Sequence, residues 1–181
     1  MKKSYLIGNA HIDAMWLWEW QEGLAEVRST FRSALDRLNE FDGWIFTSAA
    51  AQYYRWIEET DAEMFAEIAA RVREGRWCIV GGWWIQPDCN LPSGESFCRQ
   101  GLYGQRYFSE KFGVRARTGY NVDSFGHSAG LPQILKKSGL ENYVFSRPGA
   151  HERDLPELFE WRSPDGSGIR AARIPIGYES N

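Results

Sequence analysis

The chain has 181 residues and a formal net charge of −3, from 21 Lys and Arg against 24 Asp and Glu. That length fits one domain or part of a larger one, and weak acidity without a basic block argues against nucleic acid as the main partner. No apolar run reaches the ~18 residues of a membrane span, and a hydrophobic fraction of 43% excludes a disordered chain.

The opening residues, Met1-Lys2-Lys3-Ser4-Tyr5-Leu6-Ile7-Gly8-Asn9, lack the ~7–15 apolar residues of a secretory signal, so a cytoplasmic protein is expected. Cys78, Cys89 and Cys98 form an odd set with no Cys-x-x-Cys pair, which suits reduced thiols rather than a metal knot. Nine tryptophans in a chain that is 15% aromatic imply an aromatic core. They also leave room for one or two in a sugar-binding cleft, where a flat apolar face is useful.

In chain order, Ser4–Asn9 reads as a first strand. Gly23–Phe41 reads as a helix with Leu24, Val27, Phe31, Leu35 and Leu38 on one face. Trp44–Thr47 is a second strand and Ala51–Glu58 a short helix. Thr60-x-x-Glu63 has the form of a capping box opening a helix that carries Met64, Phe65, Ile68 and Val72 and stops at Gly75. Trp77–Gly81 is a third strand, Ser96–Phe112 a helix closed by Gly113, and Thr118–Val122 a fourth strand. Pro132 and Gly139 bracket another helix, and Tyr143–Ser146 is a fifth strand. Leu158–Arg162 and Ile169–Ile174 flank Ser163-Pro164-Asp165-Gly166-Ser167-Gly168, a hairpin signal. This alternation predicts an α/β fold with a largely parallel sheet and right-handed crossovers. Periodicity does not separate an open sheet from a barrel, but in both the chemistry sits at the C-terminal strand ends.

Polar clusters follow those ends. The first strand runs into His11-Ile12-Asp13, and residues at i and i+2 of an extended segment point the same way. An imidazole nitrogen with a carboxylate oxygen is a common zinc pair; a strand-end histidine also often makes only hydrogen bonds. The fourth strand ends in Asn121-Val122-Asp123-Ser124-Phe125-Gly126-His127-Ser128. Asp123 is there either a site carboxylate or a turn former, and His127 either a ligand or a loop histidine satisfied by backbone. Arg147, after the fifth strand, can hold a carboxylate in place or form a surface ion pair. The third strand leads into Gly81-Gly82-Trp83-Trp84-Ile85-Gln86-Pro87-Asp88-Cys89-Asn90, which joins aromatic faces to an acid and an amide.

Taken together, several segments resemble the N-terminal part of the retaining α-mannosidases of glycoside hydrolase family 38. They are His11-Ile12-Asp13-Ala14-Met15-Trp16-Leu17-Trp18, Gly81-Gly82-Trp83 and Pro87-Asp88-Cys89-Asn90-Leu91-Pro92-Ser93-Gly94-Glu95. Asp123-Ser124-Phe125-Gly126-His127-Ser128, Leu131-Pro132-Gln133 and Pro164-Asp165-Gly166 complete the set in order. The resemblance implies that residues 1–181 are the N-terminal part of a catalytic domain, an incomplete β/α barrel-like fold, with the rest of that domain and further domains lying downstream. It implies one zinc ion, with His11, Asp13 and Asp123 as ligands, and Asp123 as the nucleophile of a retaining hydrolysis of terminal α-mannosidic bonds. Trp16 is implied to pack against the mannose ring and Arg147 to stand beside the nucleophile, with Trp84 and Asp88 as further cleft candidates. The substrate would be an α-mannoside or mannose-containing oligosaccharide, and the full-length form homo-oligomeric.

The family's fourth zinc ligand, a histidine, and its acid/base aspartate match nothing in this sequence and are expected beyond residue 181. The chain alone is therefore expected to bind zinc weakly and to turn over little. Two other classes stay open. A metal-dependent carbohydrate deacetylase would need a second metal histidine, and the chain has only His11, His127 and His151. A non-catalytic sugar-binding fragment would keep the aromatic faces without needing Asp123.

Overall fold

The computed structural model describes residues 7–149, 151–174 and 178. They divide into two compact units. One comprises the described residues up to Ser48 together with Gln52–Ile79, the other Ala49–Ala51 and the described residues from Val80 onward.

The first unit contains β1 (Gly8–Asn9), α1 (Trp20–Glu40), β2 (Phe46–Ser48), α2 (Ala51–Thr60), α3 (Ala62–Arg73) and β3 (Trp77–Ile79). Its strands pair in parallel in the order β1-β2-β3, with Gly8 opposite Phe46 and Phe46 opposite Trp77. The predicted face of α1 is buried at Val27, Phe31, Leu35 and Leu38, joined by Gly23 and Ala34, while Leu24 is half-buried. Phe31 meets Trp77 edge-on at 5.0 Å, and the Trp77 Nε1–H donates to the Tyr54 hydroxyl at 2.9 Å. That bond lets an indole be buried without an orphaned donor. Part of the tryptophan excess is thus core.

The capping of α3 differs from the predicted box. Asp61, not Thr60, is the N-cap, and its carboxylate accepts from the Met64 N–H at 3.0 Å. Thr60 remains the last residue of α2, and its hydroxyl donates back to the Trp56 carbonyl at 2.7 Å. Moving the cap by one residue takes Glu63 out of the third helical position, so no reciprocal box forms. The Met64 N–H and then Arg28 hold the Asp61 carboxyl below its ordinary range.

The second unit contains α4 (Gly94–Phe112), β4 (Thr118–Asn121), α5 (Leu131–Lys137), β5 (Asn142–Phe145), β6 (Leu158–Arg162) and β7 (Gly168–Arg173). Strand order is β4-β5-β7-β6, with β4, β5 and β7 parallel and β6 antiparallel to β7. The predicted hairpin is this last pair. Ser93 caps α4 by accepting from the Ser96 N–H, and Gly113 closes it at φ +69°. The third strand stops at Ile79 rather than Gly81, because Gly81 and Gly82 adopt φ of +82° and +73°, which extended pairing excludes. The predicted α/β fold with largely parallel pairing is what the chain adopts; its strands form two sheets, of three and four strands, neither closed into a barrel among the described residues. Of the first predicted strand, Ser4–Leu6 lie outside the described residues.

Candidate functional site

In the first unit the loop after β1 carries His11 and Asp13. His11 Nε2 lies 3.5 Å from Asp13 Oδ1, with the imidazole largely covered and the carboxylate 40% exposed. Two donors bound to one tetrahedral ion at ~2.0–2.2 Å stand about 3.4 Å apart, so this separation and donor chemistry fit a zinc-like cation. The loop is held from behind by its backbone. The Tyr53 hydroxyl donates to the Ile12 carbonyl, and the Trp18 Nε1–H donates to the Asp13 carbonyl at 3.1 Å. Burial, reinforced by the Asp13 charge, pushes the Tyr53 phenol well up and keeps it a donor. Gly23 completes the support: a Cβ there would stand 2.1 Å from the Ala14 carbonyl oxygen, so only glycine lets α1 reach the loop. Trp16 is 68% exposed and touches Trp18 edge-on at 5.5 Å, which leaves an indole face open to a ligand.

In the second unit Asp123 lies two residues past β4. Its Oδ1 accepts from the Arg147 guanidinium at 2.9 Å and from the Tyr178 hydroxyl at 2.9 Å. Arg147 follows β5, and its guanidinium also sits 4.9 Å above the Phe125 ring. Burial, and then the bond to Asp123, raises the Tyr178 phenol, so it stays a donor. The end of β4 is anchored by Asn121, fully buried, which accepts from Trp83 Nε1 at 2.9 Å and donates to the Pro87 carbonyl at 3.2 Å. A cavity of about 590 Å³ opens beside the pair, lined among others by Phe125, His127, Phe145, Arg147, Phe159 and Trp161.

The other predicted residues have local partners. Trp84 is half-buried, with its ring edge on Tyr107 of α4 at 5.8 Å. Asp88 Oδ1 accepts from the N–H groups of Asn90 and Leu91, at 2.7 and 3.0 Å. His127 has both ring nitrogens engaged, Nδ1 with the Tyr143 hydroxyl at 3.0 Å and Nε2 with the Arg147 carbonyl at 2.7 Å.

Residues 1–181 match the family described as Glycosyl hydrolases family 38 N-terminal domain. The chain belongs to glycosyl hydrolase family 38. Among curated members it is 35% identical over 167 residues to Alpha-mannosidase G of Dictyostelium discoideum, covering 91% of this chain and 15% of that protein. It is 32% identical over 168 residues to Alpha-mannosidase of Saccharomyces cerevisiae, covering 91% and 16%. The family 38 chain therefore spans about one sixth of the length of these relatives. Its fold matches the crystal structure of an alpha-mannosidase from Enterococcus faecalis V583 with a TM-score of 0.83 at 24% identity, over 96% of this chain and 20% of that one.

Two contributors, Tyr178 and Tyr53, stand outside the candidates that the sequence of this family 38 domain points to. Tyr178 lies five residues past β7, so the strand-end rule that picked out Asp123 and Arg147 could have found it. Tyr53 carries no such signal, since it lies in α2 and reaches a carbonyl 41 residues away.

Proposed function

We propose that this chain supplies the nucleophile and most of the metal site of a zinc-dependent, retaining α-mannosidase. The observation that carries the reading is the Asp123 carboxylate gripped on one oxygen by Arg147 and Tyr178, in a family 38 chain. His11, Asp13 and Asp123 would hold the ion with a ligand from elsewhere in the longer enzyme. When bound, the ion supplies Lewis acidity and orientation to the sugar hydroxyls.

The remaining work belongs to side chains. Trp16 stacks on the mannose ring. Asp123 attacks the anomeric carbon, the glycosidic C–O bond breaks, and an ester-linked glycosyl-enzyme forms. Arg147 and Tyr178 fix the carboxylate on one oxygen and so limit the orientations it must lose on the way to attack. A carboxylic acid from the remainder of the enzyme protonates the leaving oxygen and later activates water. Three free thiols, Cys78, Cys89 and Cys98, support a reducing compartment such as the cytoplasm. The deacetylase alternative is disfavoured, because the two ring nitrogens of His127 are already taken by Tyr143 and Arg147.

The test uses a 5-fluoro α-mannosyl fluoride, whose fluoride leaves without an acid catalyst while the ring fluorine slows hydrolysis of the ester. With zinc present, the 181-residue chain is expected to gain one fluoromannosyl group on the peptide holding Asp123, and Asp123→Asn to gain none. Labelling at another carboxylate, or equal labelling by the glucosyl analogue, would overturn the assignment. Zinc content falling in both His11→Ala and Asp123→Ala would support the shared ion, and loss in only one would refute it.

A further inference from the structure

We infer that His127 is a positioning residue: by holding the Arg147 carbonyl it fixes the arginine whose guanidinium grips Asp123. The inference deepens the reading that the Asp123–Arg147 pair is the reactive one. Its own test measures geometry and not turnover, so the two can fail separately.

A backbone carbonyl only accepts, so the 2.7 Å contact between His127 Nε2 and the Arg147 oxygen requires a proton on Nε2. Burial pushes the His127 imidazole down towards its neutral form, which leaves Nδ1 as an acceptor. The Tyr143 hydroxyl must then donate to it across 3.0 Å. Behind Tyr143, its oxygen lies 3.7 Å from Cys89 Sγ, and the Ser124 hydroxyl donates to that sulfur at 3.3 Å. Burial pushes both the Cys89 thiol and the Tyr143 phenol up, so each remains protonated and able to donate. From the Tyr143 hydroxyl to the Arg147 carbonyl each group has one role; behind it, the Ser124 hydroxyl and the Cys89 thiol also reach the Pro87 carbonyl, at 3.5 and 3.7 Å.

What the chain joins gives it a purpose. Ser124 follows Asp123 directly, and the far end is the backbone of Arg147. Both partners of the 2.9 Å ion pair are thus tied to one buried network. The arginine needs this. Its side chain is 45% exposed on a loop, and a free guanidinium loses rotamer entropy when held in one place. Anchoring its carbonyl limits where the side chain can start. The three rings around His127 restrict the imidazole in turn: Tyr143, Phe145 and Trp161 all stand edge-on, at 5.7, 5.2 and 5.9 Å.

The experiment is nitrogen NMR on the 181-residue chain. Long-range correlations of the His127 ring are expected to show the Nε2–H tautomer in large excess; a dominant Nδ1–H form would overturn the inference without any mutation. The Arg147 Nε–H resonance is then followed in variants. In His127→Phe its exchange with water is expected to speed up roughly threefold to tenfold, the factor a neutral hydrogen bond is worth. His127→Gln, whose amide can still donate to the carbonyl, is expected to restore it. A folded His127→Phe with unchanged Arg147 exchange, or no rescue by Gln, would refute the positioning role. Should His127→Phe not fold, Tyr143→Phe takes its place. It removes the donor to Nδ1, and it should loosen Arg147 while leaving the sheet amides unchanged.

Discussion

The candidate groups of the two units are held in opposite ways. In the first unit the support is applied to the backbone: Tyr53 grips the Ile12 carbonyl, Trp18 the Asp13 carbonyl, and Gly23 admits Ala14. In the second unit the support reaches the functional carboxylate itself, through Arg147 and Tyr178 on Asp123. A cation ligand needs the right distance from a second donor, and a backbone frame sets that. A nucleophile needs a defined orientation of its own oxygen atoms, and side-chain donors set that. The two units should therefore respond differently to mutation.

Asn121→Leu should have the largest effect. It strands the buried Trp83 N–H and the Pro87 carbonyl, costing about 2–5 kcal/mol by the usual cost of two unsatisfied groups. A urea midpoint would show it, and a loss under 1 kcal/mol (about one hydrogen bond) would mean that β4 is anchored otherwise. Gly23→Ala comes next, at about 1–3 kcal/mol, because the clash is with backbone that no side-chain rotation relieves. It should lower zinc affinity while leaving the Arg147 Nε–H signal in place, and disturbance of that signal would erase the distinction between the units.

Tyr53→Phe should cost about 1 kcal/mol and weaken zinc binding a few-fold, the worth of one hydrogen bond behind the His11–Asp13 loop. Calorimetric titration would measure it, and unchanged affinity would show that Trp18 and Gly23 hold the loop alone.

The smallest effect is a pH dependence from His127. Burial lowers its folded value, and the hydrogen bond to the Arg147 carbonyl and then the charge of Asp88 oppose this only in part; the Tyr143 hydroxyl is its other polar neighbour. The unfolded chain therefore binds this proton first as pH falls. The stability contributed by neutral His127 is complete above about 6.5 and is lost as pH drops through the folded value. Subtracting the stability–pH curve of His127→Gln isolates this slope from that of the carboxylates; a difference curve without slope below 6.5 would contradict the burial argument.

Much of the fold is legible in local spacing. Val27, Phe31, Leu35 and Leu38 recur at helical intervals and are all buried on α1. Gly113 ends α4 in the left-handed conformation that its sequence position suggests. The cap of α3 is less legible. Thr60 and Asp61 are both good cap residues, and the choice depends on where α2 ends and on Arg28, 33 residues earlier, whose guanidinium meets Asp61 at 3.0 Å.

Local sequence is enough to set the α/β alternation, the helix faces and the polar clusters at the strand ends, His11 with Asp13 among them. These rest on interactions within a few residues, where bond geometry and side-chain spacing suffice. Long-range packing settles that the strands form two sheets, that Arg147 and Tyr178 share one oxygen of Asp123, and that His127 serves the Arg147 carbonyl. Tyr178 reaches Asp123 across 55 residues of chain, and no local periodicity encodes a contact of that span. It exists because parallel strands deliver distant segments to the same end of a sheet, and packing then selects which side chains meet.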